Sequence, residues 1–209
     1  MKRLFLLAIA AMTLFGAVNH ARAQASETTF KLAVNPPFVG CLGSSSVEKP
    51  TATVTVQRGK LNDVLILHAR HLKPNLAFDL FTTQNTNLLP NGQVNPNFTN
   101  FGLAWYQSDI QADSNGNADV TIKTILLDQI FGFDPAVGLA PTNTFHVGFW
   151  FNNPEDAAAC GFDVTKPTPF NGEHHAGPNA MMSVPNPQTN LGPLCTNPTD
   201  TSTGFFCNP

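Results

Sequence analysis

Thr51-Ala52-Thr53-Val54-Thr55-Val56 decides how this chain is read. Five of the six residues are β-branched, and threonine alternates with alanine or valine. A period of two puts the threonines on one face and Ala52, Val54 and Val56 on the other, the pattern of a half-buried strand. The same signature recurs on both sides. Thr29 to Val34 alternates until Pro36-Pro37 ends it. Asp63 to His71 is denser and reads as a strand buried on both sides over part of its length. Leu76 to Thr82 carries Phe78, Leu80 and Thr82 on one face and Phe81 on the other. Phe101 to Ile110 and Ala118 to Ile125 follow. Thr144 to Phe151 sets Phe145, Val147, Phe149 and Phe151 against His146, Gly148 and Trp150.

The breaks between these runs are equally legible. Pro74-Asn75 turns the chain, and residues 85–100 form a long polar loop rich in Asn, Pro and Gly. Asn115-Gly116 between alternating runs signals a hairpin. Ile125 to Phe133 is short and apolar, a helical turn or a loop plug. Asn153-Pro154-Glu155-Asp156 opens a short helix, with Asn at the cap, Pro at the first helical position and acids in the first turn. From Gly161 onward regularity collapses. Eight of the 17 prolines fall there, and a segment so rich in proline is not expected inside a sheet.

Seven or so strands without a sustained helical period predict an all-β fold. We expect an antiparallel β-sandwich, immunoglobulin-like or jelly-roll-like, over residues 24–160. Residues 161–209 are expected to pack on it as an irregular, disulfide-tied segment.

The N-terminus predicts export. Lys2 and Arg3 precede Leu4 to Val18, a run without charge that is too short to span a bilayer. Ala21-Arg22-Ala23 is the preferred cleavage motif, giving a signal peptide over 1–23, with Ala23-Gln24-Ala25 as the alternative. Cleavage removes Lys2, Arg3 and Arg22 from the 11 basic residues. Eight then face 14 acids, a net charge near −6. Such a surface disfavours nucleic acid and anionic lipid. No later segment is long and apolar enough to be a transmembrane helix. The expected location is periplasmic or extracellular.

Cys41, Cys160, Cys195 and Cys207 remain after cleavage. An even count in an exported chain predicts two disulfides. Of three possible pairings, proximity in sequence favours Cys195–Cys207, which leaves Cys41–Cys160. No Cys-x-x-Cys spacing suggests a metal site.

Three constellations bear on chemistry. Glu173-His174-His175 with His146 would suit zinc or copper if they converge, because imidazoles and a carboxylate are good ligands for both. Loop residues making ordinary hydrogen bonds are the plainer reading, since adjacent histidines do not share a face. Asp113, Asn115, Asn117 and Asp119 alternate oxygen side chains as calcium loops do, but glycine stands fourth rather than sixth and a hairpin turn explains every residue. His68 and His71 are an odd number apart, so a strand puts them on opposite faces. Nucleophile-elbow, zincin and phosphate-loop motifs are absent. A carboxylate pair for glycoside hydrolysis would meet only in space. Trp105, Tyr106 and Trp150 suit a carbohydrate platform or a core equally by composition, and the core is favoured.

Leu72-Lys73-Pro74-Asn75-Leu76-Ala77-Phe78-Asp79-Leu80-Phe81, with Trp105, the Asp113–Asp119 turn, Thr144–Phe151 and Glu173-His174-His175, resembles a group of secreted bacterial β-sandwich proteins of no assigned activity. The resemblance implies a location and a fold, and carries over no catalytic residue. The expected function is therefore an exported, non-enzymatic binding or structural protein, with an envelope component or a carbohydrate as its partner. A metal-binding periplasmic protein or metalloenzyme using His146, His174 and His175, or a secreted polysaccharide hydrolase, are the alternatives.

Overall fold

The computed structural model describes residues 27–43, 47–59, 62–124, 144–166, 168 and 176–195. The expected signal peptide, the apolar run 125–133, Glu173-His174-His175 and Cys207 lie outside them, and with Cys207 the expected Cys195–Cys207 bridge.

Nine strands form among the described residues: β1 (Glu27–Val34), β2 (Thr51–Gln57), β3 (Asp63–Arg70), β4 (Ala77–Thr83), β5 (Ala104–Gln111), β6 (Ala118–Thr124), β7 (Thr144–Phe151), β8 (Asn179–Ser183) and β9 (Leu194–Cys195). Two single-turn helices accompany them, α1 (Val39–Leu42) and α2 (Glu155–Ala158). The period-2 pattern becomes burial directly. In β2, Ala52, Val54 and Val56 are buried while Thr51, Thr53 and Thr55 are not. In β3, Leu65, Leu67 and Ala69 are fully buried, but Val64 and Ile66 opposite them are only half-buried. That outer face lies between the side chains of β2 and β6, with Ile66 opposite both Thr55 and Thr121. The denser hydrophobic run is therefore covered on one face only.

Every paired strand is antiparallel, and the order is β5-β4-β7-β8-β1-β2-β3-β6, with β9 added to β7. The two end strands, β5 and β6, lie beside each other without a ladder. One nearly closed sheet results. It is barrel-like rather than clearly a sandwich, and β8 makes the difference by joining β7 on one side and β1 on the other. The proline-rich segment thus supplies an interior strand, against expectation. Pro178 and Pro185 flank Asn179-Ala180-Met181-Met182-Ser183 and do not enter it, so every ladder N–H is intact.

The Asn-Gly hairpin also takes an unexpected form. The turn is made: Asp113 N–H donates to the Asn117 carbonyl at 2.8 Å and Gly116 adopts φ 77°. Its arms then part, β5 to β4 and β6 to β3. The turn stacks against the corner between β3 and β4 instead, where Leu72 N–H donates to the Gly116 carbonyl at 3.0 Å. A Cβ on Gly116 would collide with the Leu72 backbone.

All eight residues of β7 are buried. Phe145, Val147, Phe149 and Phe151 enter the main core, as the pattern predicts. On the outer face Trp150 joins Phe81, Leu88 and Met182 in a second cluster. The long segment between β4 and β5 covers it: Phe101 meets Trp150 edge-on, centroids 5.0 Å apart. The Phe151 end of β7 is closed by Phe38, 6.3 Å from both Phe151 and Phe162. There Cys41 on α1 and Cys160 beyond α2 form the expected disulfide. Pro154, expected inside the second helix, holds its cap position instead, and Asn153 Oδ1 accepts from Glu155 N–H at 3.1 Å just ahead of it.

Candidate functional site

The opposite end of β7 opens into a cleft of about 350 Å3. Three segments line it: residues 84–100 from the long β4–β5 connection, Thr144 and His146 from β7, and the loop after β8 with Pro185 and Asn190 to Gly192. Each is held by local chemistry. Asn91, Asn95 and Asn100 each accept, through Oδ1, the N–H two residues ahead, at 3.0, 2.9 and 2.9 Å. Such Asx turns let a chain reverse without a ladder. Asn186 does the same in the second loop, accepting from Gln188 and Thr189. Asn190 adopts φ 58°, a left-handed conformation asparagine tolerates. Thr86 ties the first loop to the end of β8, from which the second loop leaves, by donating to the Ser183 carbonyl at 3.0 Å.

His146 sits at the floor and is 4% exposed. Its Nδ1 is 3.0 Å from Ser183 Oγ and 3.2 Å from the Ser183 carbonyl. Either tautomer is served: the hydroxyl donates to Nδ1, or the carbonyl accepts from it. Nε2 makes no hydrogen bond among the described residues and is the atom left for the cleft. Burial pulls the imidazole pKa down to about 4, so the ring is neutral at physiological pH. The cleft lining contains no Asp, Glu, Lys or Arg among the described residues.

Phe98 forms part of one wall and is braced from the core outward. Phe81 meets Trp150 at 5.3 Å, Trp150 meets Phe101 at 5.0 Å, and Phe101 meets Phe98 at 4.5 Å between ring centroids. Rings in such tilted and edge-on contacts attract beyond their buried area.

The other residues singled out from sequence that the structure describes lie away from this cleft. Asp113 accepts through Oδ1 from Asn115 N–H at 2.8 Å and Asn117 N–H at 2.9 Å. The Asn117 and then the Asn115 backbone bond hold its carboxyl below the usual range. Asp119 lies on β6, where His68 and Arg70 engage one carboxylate oxygen and lower its pKa, His68 the more strongly. Asp113 and Asp119 thus have different partners. His71 lies beyond β3 with φ 62° and pairs with Glu48 at 3.1 Å, so it and His68 do not meet. Among the described residues no group of three or more His, Cys, Asp or Glu could hold a metal ion. The aromatic trio does not share a surface. Trp105 packs edge-on against Phe145 at 5.8 Å, Trp150 is buried, and Tyr106 stands exposed against Phe81. The Tyr106 hydroxyl donates to Asp109 at 2.7 Å, and desolvation with that bond raises its pKa to about 12.

Sequence reading placed His146 correctly on the outer face of its strand but missed the two loops that make it a floor. A signal was present. Sixteen residues, 85–100, with six asparagines are too many for a simple connection in a compact domain, and such loops are usually functional.

The chain is thus a mostly antiparallel, barrel-like β protein with a polar cleft on its outer face. Comparison with family models, curated protein sequences and solved structures returned no match.

Proposed function

We propose that this chain is an exported, non-enzymatic binding protein whose ligand site is the cleft above His146. The observation that carries the reading is the combination of a lining uncharged among the described residues with walls held by their own Asx turns. Preorganised walls reduce the ordering cost of binding, and the cleft falls in the size range of small-ligand sites. Export is supported by the basic start, apolar run and small-residue motif of residues 1–23, and by the Cys41–Cys160 disulfide, a bond that persists in oxidising compartments. Glycoside hydrolysis needs two carboxyl groups flanking the bond. The cleft lining offers none among the described residues, which favours binding over turnover.

A thermal-shift screen of the mature chain against uncharged and charged small molecules tests this. Stabilisation by an uncharged compound, weakened by Asn190→Ala or Asn97→Ala, is expected. Stabilisation restricted to charged compounds, or unchanged by either substitution, would refute the cleft as the site.

A further inference from the structure

Resting on that reading, we infer that the ligand is a neutral saccharide, held by asparagine amides and stacked on Phe98. A carboxylated, phosphorylated or cationic ligand would bring a charge into a cleft that offers it no counter-charge among the described residues, and burying an unpaired charge is costly. The ligand is therefore neutral. It is also rich in hydrogen-bonding groups, because the walls hold unused ones. The Asn97 amide makes no hydrogen bond among the described residues. Asn95 commits Oδ1 to the Asn97 N–H and keeps both Nδ2 donors. Asn85 commits Nδ2 to the Asn100 carbonyl at 3.3 Å and keeps Oδ1.

An amide presents a donor and an acceptor side by side. Adjacent hydroxyls on a sugar ring each donate and accept, and so satisfy that pair in either order. The third element is Phe98. The C–H face of a sugar ring packs on an aromatic face, and this one is fixed by three further rings running back to β4. A peptide would also meet amides, but its chain alternates single donors and acceptors, and the cleft wall offers no free strand edge to pair with it among the described residues. His146 Nε2 at the floor adds one more partner for a hydroxyl.

Isothermal titration calorimetry of the mature chain tests the assignment. The probes are neutral gluco-, xylo-, manno- and N-acetylglucosamine oligosaccharides, with acetylated, amidated tri-alanine and polygalacturonate as comparison ligands. We expect saturable binding of at least one neutral oligosaccharide, weakened by about tenfold or more in both Phe98→Ala and Asn97→Ala. Asn97 is exposed and Phe98 half-buried, and circular dichroism melts will show whether each variant keeps the wild-type fold. Binding of tri-alanine alone, sensitive to the same substitutions, overturns the saccharide class and leaves the cleft as a site. Saccharide binding insensitive to both substitutions, or no binding by any probe, overturns both readings.

Discussion

His146 Nδ1 lies 3.0 Å from the hydroxyl oxygen of Ser183, across the ladder between β7 and β8. The same oxygen accepts from Val147 N–H at 3.1 Å. One serine thereby fixes the ring orientation and the start of β7. It leaves Nε2 as the only polar atom His146 can offer a ligand.

That arrangement fixes a pH dependence. The folded imidazole titrates near 4, the unfolded one near 6.5. Between these values the unfolded chain binds a proton that the folded chain does not, so stability is intact above about pH 6.5 and falls as pH drops toward 4. The loss across the window is roughly 3 kcal/mol. Melting temperature measured from pH 7.5 to 4.5 should fall more steeply for the natural chain than for His146→Gln. Parallel curves would contradict the buried neutral imidazole.

Gly148 on β7 tests how tightly β8 is docked. A Cβ there would overlap Met182 Sδ and approach the Met181 carbonyl at 2.9 Å. Gly148→Ala should destabilise by about 1–3 kcal/mol, as overpacked cores do. Urea unfolding checks this, and an unchanged midpoint would mean that the two strands are further apart.

The Cys41–Cys160 bridge closes a loop with a sequence separation of 119. Cross-links of that span restrict the unfolded chain strongly. Replacing both cysteines by serine should cost about 2–5 kcal/mol in urea unfolding. The loss should leave the cleft largely unaffected, because the bridge lies by Phe151 and the cleft by Thr144.

Most of the strands were legible in the sequence because strands buried on one face carry their alternation openly, but their closure into one barrel-like sheet rather than a sandwich was not. The segments Thr51–Val56 and Thr144–Phe151 place every described side chain on the face that the pattern assigns. β8 escaped for a physical reason. Asn-Ala-Met-Met-Ser has no β-branched residue and no alternation, since all five residues are buried on both faces. Its proline neighbours argued against a sheet while standing just outside it. The Asn-Gly turn was read correctly as a turn, yet local geometry does not say which strand each arm will join. The cleft was least legible, because it arises where three sequence-distant segments meet.

The interior position of β8 has its own check in amide hydrogen exchange. Met181 and Met182 pair with β1 on one side and β7 on the other, so their amides should be protected to the same order as those of β7. Exchange as fast as in the exposed turn at Gln188–Asn190 would show that the segment is not part of the sheet.

The central claim is that the cleft above His146 binds an uncharged, hydrogen-bonding ligand. Its most direct test is an NMR titration of the 15N-labelled chain from residue 24 onward with neutral saccharide and amide fragments. The account predicts that the backbone amides of residues 84–100 and 190–192 shift first, together with the His146 ring, while those around the Cys41–Cys160 bridge stay still. Shifts confined to another surface, such as the threonine face of β2, or no shift with any fragment, would contradict it.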